Sequence, residues 1–255
     1  MIRRIFPTLL ALLLCLPSQA GMSVRRTSLA AAAGGGGGAI TFDSSTPAVA
    51  SSNGAAVTTA AFNPPNNSLL VACVMSNSNT GQNITITMSN NGSAVTWTNQ
   101  VERDLGDGGA VRGHASIWTT PLTTGRTGMT VTATSNTGSG GIGMKVFVIT
   151  GHDTSSPIGA VGEGSSTTNN ITPNALTTTV NAVRVLGCAG DWNDLGLPTT
   201  TDTGYAFNAS GYDGIAVHKA ADTASAGTTV TLNFDAGGTG APEWNWVAVE
   251  VKSAS

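Results

Sequence analysis

The stretch "GMTVTATS", residues 128–135, decides the fold class. Successive side chains of an extended chain point to opposite faces, so Met129, Val131 and Ala133 share one side and Thr130, Thr132 and Thr134 the other. The stretch reads as a strand with one dry and one wet face. "TTVTLNF" (228–234) repeats the pattern, with Val230, Leu232 and Phe234 facing inward. "SLLVACVM" (68–75) and "KVFVIT" (145–150) are instead apolar on both faces, which suits strands in the middle of a layered protein.

Outward from these segments, β-branched runs recur every ~10–15 residues between clusters of Gly, Asn, Asp, Ser and Pro, giving about thirteen strands. No segment keeps a helical apolar period over ten residues. The expectation is an all-β fold, a two-sheet antiparallel β-sandwich of jelly-roll-like connectivity, spanning residues 39–252. In "TGRTGMTVTAT" (124–134), Gly125 and Gly128 supply turn conformations and Pro121 closes the preceding strand. That pair is predicted to lie side by side. Trp244 and Trp246 alternate with Asn245 in the last strand and are expected in the core, as are Trp97 and Trp118.

Two segments precede the sandwich. Residues 1–20 read as a secretory signal peptide: Arg3 and Arg4 give a positive start, Leu9 to Leu16 a short apolar run, and Ser18 with Ala20 a small-residue cleavage site. The run is too short for a spanning helix, so no stable membrane anchor is expected. Met22 offers a second start, in which case the upstream residues are not translated. Residues 21–38 form an Ala/Gly-rich linker that ends in "AAAAGGGGG". Beyond Cys15, only Cys73 and Cys188 remain, each within an apolar run. They are expected as buried thiols or, in an exported chain, as a disulfide between core strands.

The composition narrows function. Of 255 residues, 40% are hydrophobic, 10% charged and 5% aromatic, and the formal net charge is −3. A charged fraction this far below the usual ~25% leaves a neutral, hydroxyl-rich surface with no basic field for nucleic acid. No nucleophile elbow, zincin motif, paired-cysteine motif, phosphate-binding loop or EF-hand loop occurs. Glu102, Glu163, Glu243 and Glu250 lie in separate segments, with nothing to pair two of them across a glycosidic bond. His114 and His218 read as ordinary strand residues, and Asp153, after His152, as the opener of an Asx turn. No enzymatic activity and no cofactor are expected.

The densest cluster of acids and rings is "GCAGDWNDLGLPTTTDTGYAF", residues 187–207. Asp191, Trp192, Asn193 and Asp194 form the candidate ligand-binding group: an indole stacks on a sugar face while carboxylate and amide oxygens accept its hydroxyls. The same oxygens would suit calcium. The competing reading makes Asp191 and Asn193 turn formers and Trp192 a cap on the sandwich core.

The segments "AITFDSSTPA", "NSLLVACVMS", "VTWTNQVERD", "ASIWTTPLTTGRTGMTVTAT", "VFVITGHDTSSPIG" and "WNWVAVEVK" together resemble the Ala/Gly/Thr-rich β-sandwich domains of minor tail and other virion-surface proteins of actinobacterial bacteriophages. The resemblance covers residues 39–252 and carries strand and turn patterns but no catalytic signature. It implies a non-enzymatic virion structural or attachment protein, a minor tail or surface decoration subunit. Its partners would be other virion subunits or host cell-surface glycans, in a homo-oligomeric or multi-copy assembly. The alternative is a secreted bacterial carbohydrate-binding or adhesive domain, located outside the cell. The signal-like start favours that alternative, because virion proteins assemble in the cytoplasm.

Overall fold

The computed structural model describes residues 38–255 apart from Thr80, 107–111, 138–139, 194–195, Ser210 and 239–242. The expected signal peptide, and the expected linker up to residue 37, lie outside the described residues. The first half of the fold contains β1 (Thr41–Phe42), β2 (Ala50–Ser52), β3 (Ala56–Thr58), β4 (Ser68–Ser78), β5 (Ile86–Asn90), β6 (Thr98–Gly106), β7 (Arg112–Leu122), β8 (Val131–Ser135) and β9 (Ile142–Thr150). The second contains β10 (Ile158–Ser166), β11 (Asn170–Ile171), β12 (Asn174–Thr177), β13 (Val183–Asp191), β14 (Thr203–Ala209), β15 (Tyr212–His218), β16 (Thr229–Thr231), β17 (Phe234–Asp235) and β18 (Trp244–Lys252).

Two central antiparallel sheets face each other. One has the order β1-β9-β4-β7-β6, with β2 also on β9; the other has β10-β18-β13-β15-β14. The core between them joins Leu69, Val71, Cys73 and Phe147 to Leu186, Cys188, Val247 and Val249, all with 0% exposure. Each central sheet is also covered on its outer face. The three-stranded sheet β3-β8-β5 sets Val57, Val131 and Ala133 against Leu70, Ala72, Val146 and Val148. The pairs β12-β16 and β11-β17 set Leu176, Val230 and Phe234 against Val185, Ala248 and Trp244. This layering is why "SLLVACVM" has no polar face: every residue of β4 is buried. It is also why "VTATS" alternates, since β8 is a cover strand with its threonines turned outward.

The second half repeats the first. The two central orders match position for position, and the cover pair β3-β8 corresponds to β12-β16. Cys73 stands between Lys145 of β9 and Ile117 of β7, while Cys188 stands between Val247 of β18 and Ala216 of β15. Backbone geometry repeats as well. The two non-glycine residues with positive φ among the described residues are Asn67 (53°) and Ala182 (54°), one immediately before β4 and the other immediately before β13. Gly128 (φ 63°) and Gly227 (φ 75°) likewise precede "MTVT" and "TTVT". In each half, one face of the central sheet is covered only by the other half.

One expectation is corrected. Strands β7 and β8 do not pair: β7 lies between β4 and β6, and β8 between β3 and β5. The turn at Gly125–Gly128 carries the chain from the central sheet to its cover, pinned by Gly125 N donating to Asn66 Oδ1 (2.6 Å) and Arg126 N to Pro64 O (3.0 Å). The all-β sandwich holds, and within each half the chain crosses back and forth between a central sheet and its cover, β1-β9-β4-β7 facing β3-β8-β5 in the first. The chain completes one central sheet and its cover before it begins the other. Trp244 and Trp246 are buried as expected, and Trp97 and Trp118 are partly buried against the first cover.

Candidate functional site

The loop after β13 emerges at one end of the sandwich, where the facing sheets meet through polar groups. Asp191 ends β13 and stands in register between Asp213 of β15 and Trp244 of β18. Its side chain is fully buried, and its Oδ1 accepts the backbone N–H groups of Asn193 (3.0 Å) and Glu243 (2.9 Å). One carboxylate therefore fixes the start of its own loop and the entry to β18. Asp213 does the same for the far side of the loop, accepting Gly196 N (3.0 Å) and the Asn208 amide. Across the two sheets, Tyr212 Oη donates to His114 O (3.1 Å) and Asn245 Nδ2 to Gly113 O (2.6 Å).

Trp192 belongs to the core. It is 7% exposed and packs in the central cluster over Gly113, where an added Cβ would sit 2.1 Å from its ring. This burial fits the reading of Trp192 as a cap on the sandwich core. Asn193 is exposed, and Asp194 lies outside the described residues. Of the four expected ligand-binding residues, then, the structure makes Asp191 a buried clamp and Trp192 a packing residue. No group of three or more His, Cys, Asp or Glu among the described residues could hold a metal ion.

Two clefts come nearest to binding sites. One, of about 250 Å³, is lined by Pro198, Thr199, Thr200, Asp202, Gly204, Ala206 and Ile215, beneath the same loop. Its carboxylate is engaged: Asp202 pairs with Lys219 Nζ and accepts Asn233 N at 2.9 Å. Asn233 in turn holds the loop through Thr201 N (2.8 Å) and Thr200 Oγ1 (2.7 Å). The other, of about 310 Å³, is lined by Asn67, Pro121, Leu122, Thr123, His152 and Thr154. Burial lowers the pKa of His152 there. Asp153 forms the expected Asx turn, its Oδ1 accepting Ser155 N, Ser155 Oγ and Ser156 N. Neither cleft's lining residues join a nucleophile to a base or set two carboxyl groups across a gap.

Several charged groups of this charge-poor chain serve the interior. Lys145, 2% exposed, donates to Pro47 O (2.6 Å) and lies 4.0 Å from the centre of the Tyr205 ring. Burial lowers its pKa to about 8. Arg184 pairs with Asp222 at 2.6 Å and donates to Ile40 O. The sequence signal for Lys145 was available, a lone cation inside the apolar run "KVFVIT". Its hydrogen-bond partner was not, because Pro47 lies in a loop 98 residues away.

His114 is fully buried in β7, neither ring nitrogen has a hydrogen-bond partner, and burial lowers its pKa to about 4. Its consequence for stability follows from linkage. The unfolded chain takes up the proton near pH 6.5, whereas the folded chain resists it until about pH 4. Stability is thus full above pH 6.5 and falls as pH drops through that window, by on the order of 3 kcal/mol for this one group. Burial lowers His152 and His218 as well, and both act in the same direction. Urea titrations between pH 7 and pH 4 are expected to show that decline, with a shallower slope in His114→Gln.

The chain matches no protein-family model, no curated protein and no solved structure in comparisons of sequence and fold.

Proposed function

We propose that the protein is a non-enzymatic structural or attachment subunit of a virion surface, a minor tail or decoration protein present in many copies. The observation that carries this reading is the internal use of its chemistry. Asp191, Asp213, Glu250, Lys145 and Arg184 are buried and committed to backbone or ion-pair contacts, and the outward faces of the cover strands present threonine. Such a body is built to hold shape and not to turn over a substrate. Hydroxyl contacts such as Thr58–Thr132 (2.8 Å) and Thr177–Thr229 (3.4 Å) leave a neutral outer surface suited to packing against other subunits or to hydrogen bonding with host glycans. Any glycan contact would use these hydroxyls and Asn193, not the ring of Trp192.

Peptide mass spectrometry of density-purified particles from the source culture tests the proposal. The expected result is this chain among the particle proteins at stoichiometric abundance. Its absence from particles, together with processed chain in the culture supernatant, would replace the virion reading with the secreted adhesive one.

A further inference from the structure

The two halves of the fold meet at a pair of equivalent cysteines. Cys73 and Cys188 occupy the same place in β4 and β13, each between the two neighbouring strands of its own central sheet, and both point into the core between the sheets. Each thiol reaches across to the opposite sheet. Cys73 Sγ donates to Gly187 O at 3.7 Å and Cys188 Sγ to Ser116 O at 3.7 Å. Gly187 precedes Cys188, and Ser116 precedes Ile117, the cross-strand partner of Cys73. Both thiols are free in the structure; burial, then the neighbouring Cys73 thiol, raises the pKa of Cys188. Both residues have 0% exposure. The repeat explains their equivalence: each sits at the same register position of its central sheet, on the face turned to the other half.

We propose that Cys73 and Cys188 are joined by an inter-sheet disulfide when the chain folds in an oxidising medium. The proposal goes beyond the virion reading, in which the chain folds in a reducing cytoplasm, and applies to folding in an oxidising compartment. The oxidant is a low-molecular-weight disulfide such as glutathione disulfide. One cysteine, as thiolate, attacks a sulfur of that disulfide and expels one thiolate, forming a mixed disulfide. The partner cysteine, also as thiolate, then attacks the cysteine sulfur of the mixed disulfide and expels the second. The pair loses two protons and two electrons, and the oxidant is reduced to two thiols. The exchange occurs before the sheets close, because the closed core excludes the oxidant. The same burial then shields the finished bond from reductants.

The test is refolding of the full chain from denaturant in a glutathione disulfide buffer, followed by denaturation, alkylation without reductant and peptide mapping. The expected result is a linked peptide containing Cys73 and Cys188, with neither residue alkylated. Thermal melting of the oxidised chain is expected about 10 °C above the reduced chain, because the bond closes a loop of roughly a hundred residues. That difference should vanish in Cys188→Ala. Alkylation of both residues, glutathione adducts in place of the link, or a melting point that falls on oxidation would each overturn the proposal. If Cys188→Ala does not fold, the peptide map of the unaltered chain still decides.

Discussion

Trp192→Ala is expected to lower stability by about 3–5 kcal/mol, a drop in denaturation midpoint large enough to read in one urea series. The indole fills the end of the central core over Gly113, and no neighbour can move in to replace it, because Gly113 carries no side chain and Asn245 is already tied to the Gly113 carbonyl. The loss has a cavity component beyond the lost apolar burial, since the strands on both sides are held by their ladders. Gly113→Ala tests the same contact from the other partner. A methyl at that position cannot coexist with the ring in its present place, so this variant is also expected to lose stability through overpacking. A Trp192→Ala chain that kept its midpoint but lost binding to cells would instead make the ring a ligand contact.

Trp192 shows where the sequence was legible and where it was not. Alternation in "MTVTAT" and "TTVTLNF" located the inward residues correctly, because a strand's period is a local property. The unbroken apolar runs announced buried central strands for the same reason. Strand β10 was not foreseen: "IGAVGEGSS" is rich in glycine and half exposed, and it pairs with β18 across a register shift. Its existence depends on a partner 78 to 93 residues later in the chain. The internal repeat was hidden because its two copies share geometry more than residues, as Asn67 and Ala182 do at nearly equal positive φ. In the "DWND" stretch, a Trp flanked by acids looks the same whether the acids face a ligand or clamp two loops. Only the loop before β18, brought to Asp191 by the sheet, distinguishes the two.

The repeat also exposes a buried charge whose removal carries the second large effect. Glu250 has 0% exposure, and its carboxylate accepts the N–H groups of Ala160 (2.7 Å), Thr179 (2.9 Å) and Val180 (3.3 Å), with the Thr179 hydroxyl at 2.8 Å. In the first half its register position is held by Val148, opposite Leu70 as Glu250 is opposite Val185. An apolar residue suffices there because of what the approaching loop contains. Counting back from Asn67 and Ala182, Thr179 and Val180 correspond to Pro64 and Pro65, which have no N–H to satisfy. One half removes the donors and the other supplies an acceptor. Glu250→Val is therefore expected to cost about 3 kcal/mol, because it leaves the part-buried backbone donors of Ala160, Thr179 and Val180 without their acceptor at once. Adding Thr179→Pro and Val180→Pro to that variant should return on the order of 2 kcal/mol, by removing the stranded donors while Ala160 N stays unpaired. Urea midpoints of the single and triple variants measure the difference, and a triple variant no more stable than Glu250→Val would show that the two halves do not solve the same backbone problem.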